Sequence, residues 1–177
     1  MPTPSPSPIT SSEAIDAVCT AHGLSVAEFH ALRARATEAK TRAYCPYSNF
    51  RVGAALLARA GEGEGESGGR YVLGANVENA SYPVTTCAER VALGTAVVEG
   101  LHSGNGRGFR AIAVSTDAEG PASPCGMCRQ FIREFCELSM PILMFDKNDT
   151  FIVMTLGELL PLSFGPDNMG VKDPAKP

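Results

Sequence analysis

The sequence has no apolar run near the roughly 18 residues that a membrane-spanning helix requires, so no membrane span is expected. It also has no cluster of basic residues: 15 lysines and arginines face 19 acidic residues, and the net charge is −4. This balance argues against a nucleic-acid partner, because a nucleic-acid-binding surface needs a basic face. The first residues have neither a basic start nor an apolar stretch. We therefore expect no signal peptide and a cytoplasmic location.

Histidine is scarce, and none of the three histidines has the spacing of a metal ligand. Cysteine occurs six times. An even number of cysteines can form disulfides in a secreted protein, but a Cys-x-x-Cys pair without a secretion signal favours metal binding. Cys19 and Cys136 lie in helical patterns and are predicted to be small buried apolar groups.

The length of 177 residues and an apolar content of 44% predict one globular domain with a sizeable core. Residues 1–11 are rich in proline and serine and are predicted to be a disordered tail. The single domain is predicted to cover residues 12–177. Gly23 should end its first helix, and Ser25 and Glu28 form a capping box at the start of its second.

The apolar pattern predicts two helices, two strands, a helix, a strand, a helix and two final strands. Two pairs of strands follow each other without a helix between them and should be antiparallel, whereas the strand–helix–strand unit at 110–145 should be a right-handed parallel crossover. This order predicts an α/β fold, a three-layer α/β/α sandwich around a five-stranded mixed sheet with an antiparallel fifth strand. The predicted strands cover 50–59, 70–77, 110–115, 141–145 and 150–155, and the predicted helices cover 12–22, 25–42, 86–99 and 125–138. In the helix at 86–99, the inward-facing residues are predicted to be Val91, Ala92, Thr95 and Val98.

Two short segments, residues 86–90 (Thr-Cys-Ala-Glu-Arg) and 124–130 (Pro-Cys-Gly-Met-Cys-Arg-Gln), lie at predicted helix starts. Their three thiols, Cys87, Cys125 and Cys128, can hold a tetrahedral Zn²⁺ and leave its fourth position open to water, as a catalytic site requires. A helix N-terminus also favours the thiolate form that binds zinc.

The residues beside these thiols are candidates for supporting roles. Glu89 can carry protons for the water, although a carboxylate in the first turn of a helix can also simply satisfy the helix dipole. Arg90, Arg129 and Gln130 can donate hydrogen bonds to the sulfurs, and Arg90 is the favoured donor. The alternative to a catalytic site is a closed structural zinc site whose fourth ligand is one of the remaining cysteines or histidines.

The pattern Cys-x-Glu followed by Pro-Cys-x-x-Cys is typical of zinc-dependent nucleobase deaminases with three cysteine ligands. Three further segments occur in the same order along the chain: Tyr-Cys-Pro-Tyr-Ser-Asn-Phe at 44–50, Asn-Val-Glu-Asn-Ala-Ser-Tyr-Pro at 76–83 and Ser-Phe-Gly-Pro at 163–166. With them, the chain resembles the small homotetrameric cytidine deaminases of pyrimidine salvage over about residues 29–167. The loops at 60–69 and 101–109 are longer than is usual for that family.

The resemblance implies hydrolytic deamination of cytidine and 2′-deoxycytidine to uridine and 2′-deoxyuridine, with release of ammonia. Water activated by one Zn²⁺ per subunit would attack C4 of the base, and Glu89 would carry the protons. The substrate would be a small nucleoside, and the active sites of a homotetramer would be shared between subunits. The implied substrate-binding residues are Phe50, Asn76, Glu78, Ala80, Tyr82, Ala88 and Phe164.

Within this set the resemblance implies separate roles. Asn76 and Glu78 would bind the ribose 3′-hydroxyl, Phe50 would stack on the pyrimidine, and the backbone of Ala88 would read the base edge together with Glu89. Ala80, Tyr82 and Phe164 would line the sites of neighbouring subunits.

Three alternatives remain open at this point. Blasticidin-S deaminase shares the zinc residues, but the pair Asn76 and Glu78 favours the nucleoside enzyme. A polynucleotide deaminase is disfavoured by the acidic charge and by the short turn at 146–149, which predicts an antiparallel fifth strand. A non-enzymatic structural zinc module is the third alternative.

Overall fold

The structure is a computed structural model that describes residues 11–59, 69–102 and 108–170. The predicted tail at 1–11 and the loop at 60–69 therefore lie almost wholly outside the described residues, and so does the centre of the loop at 101–109, residues 103–107. The helices are α1 Ser12–His22, α2 Val26–Lys40, α3 Ala88–Val98, α4 Gly126–Phe135 and α5 Leu156–Leu159. The strands are β1 Val52–Ala58, β2 Tyr71–Ala75, β3 Phe109–Thr116, β4 Pro141–Phe145 and β5 Phe151–Thr155.

The helix boundaries follow the capping signals of the sequence. Gly23 adopts the left-handed conformation at the end of α1, with φ of 64°. Ser25 and Glu28 form the predicted capping box at the start of α2. None of the described helices is long and apolar enough to cross a membrane.

The five strands form one sheet in the order β2-β1-β3-β4-β5. Strands β3 and β4 are parallel, and every other neighbouring pair is antiparallel, which confirms the predicted mixed sheet and its antiparallel fifth strand. Asp146 forms the tight turn between β4 and β5, where its carboxylate accepts hydrogen bonds from the backbone N–H groups of Asn148 and Thr150.

Each face of the sheet carries its own apolar cluster, because successive side chains of a strand point to opposite faces. Leu56 of β1 packs in the cluster beneath α3 and α4, whereas Leu57 packs with α1 and α2 on the other face. The molecule is therefore the predicted three-layer α/β/α sandwich. Cys136 lies in the first cluster and Cys19 in the second, which confirms that both are buried apolar groups.

The buried face of α3 differs from the predicted one. The prediction was right for Ala92 but wrong for Thr95, which is exposed, and for Val98, which is 89% exposed. Gly74 of β2 explains the difference, because a Cβ atom there would lie 2.3 Å from the carbonyl oxygen of Ala88 and 2.4 Å from the backbone nitrogen of Ala92. Such a close approach turns a face of small residues toward the sheet. The residues buried on α3 are Ala88, Glu89, Ala92, Leu93 and Ala96.

Candidate active site

Two helix N-termini carry the three thiols. Cys87 is the N-cap residue of α3, Cys125 is the N-cap residue of α4, and Cys128 lies in the first turn of α4. Neither N-cap side chain makes a capping hydrogen bond, so both sulfurs remain available for another partner. The first-turn N–H groups and the helix dipole favour the thiolate form at these positions.

The three Sγ atoms all lie within 4.8 Å of one another, and those of Cys87 and Cys125 are 4.0 Å apart. Tetrahedral zinc with Zn–S bonds of about 2.3 Å brings its sulfur ligands to about 3.8 Å from each other. The Cys87–Cys125 pair is therefore close to the spacing that the metal requires, and the three sulfurs would draw together around it. Within residues 11–59, 69–102 and 108–170, no further His, Cys, Asp or Glu completes this group, so the fourth position of a bound metal would be open.

The thiols influence each other strongly. A hydrogen bond from the thiol of Cys128 lowers the pKa of Cys87 to about 5, with Arg90 adding to the effect and burial opposing it. The same hydrogen bond raises the pKa of Cys128, and burial raises it further. Ionisation of one thiol thus makes ionisation of its neighbour less favourable. A bound divalent cation would allow all three cysteines to be thiolates at the same time.

Arg90 is the predicted sulfur donor that the structure places at the cluster. Its Nη2 atom donates to the carbonyl oxygen of Thr85 at 2.9 Å and lies 3.8 Å from the Sγ atom of Cys87. Gln130 donates instead to the carbonyl oxygen of Phe164 at 3.0 Å. The rotation of about 100° per helical residue explains this, because it carries the residues after Cys128 away from the sulfurs.

Glu89 follows Cys87 by two residues and is buried, with an exposed fraction of 3%. Burial raises the pKa of its carboxyl group, and the charge of Cys87 raises it further, whereas the contact with the Cys128 side chain lowers it. Its Oε2 atom is buried without a hydrogen-bond partner among the described residues. A carboxyl group with a raised pKa beside a metal-binding cluster has the properties of a proton carrier.

Backbone hydrogen bonds bring the predicted substrate-binding segments beside the cysteines. Val77 and Thr86 exchange two such bonds, each 2.9 Å long, immediately before Cys87. On the other side, the N–H of Tyr44 donates to Asn76 at 2.9 Å and the N–H of Glu78 donates to Tyr44 at 2.8 Å. The segments 44–50 and 76–80 thus lie side by side at the edge of the thiol cluster.

Asn76 is buried and connects the end of β2 to the start of β1. Its amide accepts from the N–H of Val52 at 2.8 Å and donates to the carbonyl oxygen of Phe50 at 2.9 Å. The ring of Phe50 remains 41% exposed. The side chain of Asn76 therefore fixes the backbone that carries Phe50, and contact of either residue with a nucleoside stays a prediction.

The carboxylate of Glu78 accepts three hydrogen bonds from the 44–50 segment. The donors are the N–H of Tyr47 at 2.9 Å, the N–H of Ser48 at 3.2 Å and the hydroxyl of Ser48. Hydrogen bonding, led by the Ser48 hydroxyl, lowers the pKa of Glu78. The sequence pattern gives no sign of the Ser48 contact, because 30 residues separate the partners. The sequence offers only one hint of this contact. The serine lies in a turn just before a strand, and the carboxylate lies just after the end of the neighbouring strand.

The residues predicted to line neighbouring sites lie at the surface of the chain. Tyr82 is 70% exposed, Phe164 is 60% exposed, and Ala80 is exposed as well. The ring of Tyr82 lies 6.1 Å from that of Tyr47, in the segment that holds Glu78. Ala88 is fully buried at the start of α3, between Cys87 and Glu89.

Comparison with known proteins is consistent with this arrangement. The family described as "Cytidine and deoxycytidylate deaminase zinc-binding region" matches residues 27–144. The cytidine deaminase of Sporosarcina psychrophila is 44% identical over 138 residues, which cover 78% of this chain and 92% of that protein. The cytidine deaminase of Mycobacterium tuberculosis is 39% identical over 142 residues, which cover 80% and 93% of the two chains.

Solved structures show the same relationship. The crystal structure of cytidine deaminase from Burkholderia pseudomallei aligns with a TM-score of 0.67 and 40% identity, covering 76% of this chain and 98% of that chain. That of cytidine deaminase from Mycobacterium tuberculosis aligns with a TM-score of 0.58 and 36% identity, covering 77% and 97%. Because the family match spans more than half of the sequence, and relatives this similar align over nearly their whole length, the chain belongs to the zinc-binding cytidine and deoxycytidylate deaminase family.

Proposed function

We propose that this chain is a zinc-dependent hydrolase that deaminates cytidine and 2′-deoxycytidine to uridine and 2′-deoxyuridine, with release of ammonia. The observation that carries this proposal is the contact between the three-thiol cluster and the buried carboxyl group of Glu89. The related proteins that are named cytidine deaminase support the same reaction. An antiparallel β5 and the net charge of −4 do not favour a polynucleotide substrate.

Cys87, Cys125 and Cys128 would hold one Zn²⁺ per subunit, and this metal, when bound, supplies a water molecule whose pKa is brought toward neutrality. Glu89 would take the proton of that water and pass it to N3 of the base, and would then take the proton of the hydroxyl group added at C4 and deliver it to the amino group, which leaves as ammonia when the C4–N bond breaks. Burial suits Glu89 to this role, because it raises the pKa of the carboxyl group and so makes the carboxylate a better proton acceptor. The guanidinium of Arg90 would offset the negative charge of the thiolates.

The substrate would be held by the segments beside the cysteines. Three of the roughly four acceptor positions of the Glu78 carboxylate are already occupied, which leaves about one for a ribose hydroxyl. If that hydroxyl is the 3′ one, shared with Asn76, both ribonucleosides and deoxyribonucleosides are accepted. Phe50 would stack on the pyrimidine. The backbone of Ala88 would read the base edge together with Glu89.

A homotetramer with shared active sites is part of the proposal. The exposed rings of Tyr82 and Phe164 support it, because association with a second subunit would cover these large apolar groups. Ala80, beside Tyr82 in the same exposed segment, would contribute to the same contact. Sedimentation of the pure protein measures the number of subunits. The cytoplasmic location stays a prediction.

Ammonia release and loss of cytidine absorbance by the pure protein, with and without a chelator, test the reaction. We expect the chelator to abolish both signals and added zinc to restore them. Glu89→Gln should keep its zinc and lose activity by at least about 10²- to 10⁴-fold, because the substituted amide cannot carry a proton. Glu99→Gln, at the other end of the same helix, is the matched control and should retain activity, since it weakens only an exposed ion pair with Arg70.

Three results would contradict the proposal. Full activity of Glu89→Gln would remove Glu89 from the mechanism. Ammonia released from blasticidin S but not from cytidine would favour the related antibiotic deaminase. A zinc-loaded, folded protein that releases no ammonia from any cytosine compound would be a structural zinc module.

A further inference from the structure

We propose that Arg129 is a positioning residue that holds the loop before Cys125 in the shape that the metal requires. This inference rests on the zinc site of the proposed function. Arg129 directly follows Cys128 in the first turn of α4, yet it donates to none of the sulfurs among the described residues. Its guanidinium turns back instead onto the loop that leads into Cys125.

The guanidinium makes three hydrogen bonds, two to one loop and one to a neighbouring helix. The Nε atom donates to the carbonyl oxygen of Pro124 at 2.7 Å, and the Nη2 atom donates to the hydroxyl of Ser123 at 2.7 Å. The Nη1 atom donates to the carbonyl oxygen of Leu159 in α5 at 2.8 Å. Arg129 therefore connects the ligand-bearing helix both to the residues just before Cys125 and to a neighbouring helix.

The loop before Cys125 has little else to fix it. Residues 121–125 form no regular secondary structure, and Pro124 has no backbone N–H to donate. Among the described residues, no hydrogen bond between backbone groups involves residues 120–124. The two contacts with Arg129 are thus the hydrogen bonds that hold Ser123 and Pro124, and the position of the Cys125 sulfur depends on them.

Arg129 also carries a positive charge beside the loop that leads into Cys125. In the part of the chain that the structure describes, its three partners are two carbonyl oxygens and a hydroxyl, none of which neutralises the charge. Three thiolates with Zn²⁺ would have a net charge of −1, and this guanidinium would add to the compensation by Arg90. A lysine at this position keeps the charge but cannot donate to all three partners at once, because its ammonium group lacks the planar set of donors of a guanidinium.

Competition for zinc with a chromogenic chelator tests the inference on the full-length protein. Arg129→Lys should weaken zinc binding by about 10- to 100-fold, the usual effect of losing an outer partner of a metal ligand. Cobalt-substituted Arg129→Lys should show altered tetrahedral absorption bands, which a general loss of stability would not produce. Ser123→Ala removes one of the three contacts from an exposed residue and should weaken zinc binding by about two- to tenfold.

Arg133→Lys is the matched control. Arg133 lies one turn further along α4 and donates hydrogen bonds to Ser163 and Asp167 of the tail. It should leave zinc affinity and the cobalt spectrum within about twofold of the unsubstituted protein, whatever it does to stability.

The outcomes separate this inference from the proposed function. If the unsubstituted protein binds zinc and deaminates cytidine, but Arg129→Lys and Ser123→Ala bind zinc equally well, the positioning role is refuted and the function stands. If the unsubstituted protein binds no zinc, the proposed function fails first. If Arg129→Lys does not fold, unchanged zinc affinity of Ser123→Ala refutes the role, and weakened affinity supports it.

Discussion

The contact between Gly74 and α3 makes the substitution Gly74→Ala a sharp test of how the active site is held. The new Cβ atom would lie 2.3 Å from the carbonyl oxygen of Ala88, whereas ordinary van der Waals contact begins at 3.4 Å. The start of α3 would therefore have to withdraw by about 1 Å. Ala88 lies between Cys87 and Glu89, so both the metal ligand and the proton carrier would move with it.

A displacement of about 1 Å in a catalytic group costs on the order of 10²-fold in rate. Overpacking of this kind also destabilises a protein by about 1–3 kcal/mol. We therefore expect Gly74→Ala to fold, to unfold several degrees earlier on heating, and to deaminate cytidine with kcat lowered about 100-fold per folded, zinc-loaded subunit. Zinc content, thermal midpoint and steady-state kinetics measured on one preparation give all three quantities.

Two other glycines provide matched controls. Gly53→Ala creates a similar overlap on the opposite face, 2.1 Å from the carbonyl oxygen of Ala36 in α2, a helix without metal ligands. It should destabilise the protein without lowering kcat. Gly94→Ala lies within α3 with no atom within 4 Å and should stabilise the helix by about 1 kcal/mol. If β2, an edge strand, moves away from the new methyl group, α3 keeps its position. A destabilised Gly74→Ala enzyme with unchanged kcat would show that β2 moves and would refute the reasoning.

Two further predictions concern residues around the substrate segments. Ser48→Ala should raise KM for cytidine by about tenfold and change kcat little, because it releases the carboxylate of Glu78, whose proposed role is to bind the ribose and not the base; an unchanged KM would contradict this. Burial alone would raise the pKa of Asp117, but hydrogen bonds from Arg51 and Lys40 lower it. Its stabilising contribution is therefore present above the ordinary aspartate pKa of about 3.9 and is lost as the pH falls through the lower folded value. Urea midpoints of Asp117→Asn should lie below those of the unsubstituted protein at pH 7 and approach them in acid, and a pH-independent difference would exclude this ionisation.

The sequence was sufficient to predict the features that depend on local signals. A capping box starts α2, a glycine ends α1, and a four-residue turn makes β5 antiparallel to β4. Each of these follows from residues that are neighbours along the chain. The thiols of Cys87 and Cys125 were predicted to share one metal because both belong to a zinc-binding pattern, and the structure brings them to 4.0 Å.

The features that the sequence could not predict depend on distances between segments. The helix α3 carries apolar or small residues on several sides, so its periodicity does not single out one face. Contact with Gly74 selects the face of Ala88 and Ala92, and nothing in the local pattern of α3 reports that contact. Likewise, the position of Arg129 next to Cys128 suggested a sulfur donor, whereas the carbonyl groups of Pro124 and Leu159 receive its hydrogen bonds.

The two helices that carry the cysteines are held by different means, and this determines which distant substitutions should reach the metal. A tetrahedral zinc site tolerates deviations of only about 0.2 Å in its ligand distances, so the ends of α3 and α4 must both be fixed. Gly74 fixes the first through the sheet, and Arg129 fixes the second through its loop. Gly94 and Arg133 lie on the same two helices but outside these contacts. We therefore expect the effect of a substitution on metal binding to depend on these contacts and not on its distance from Cys87 or Cys128 along the sequence.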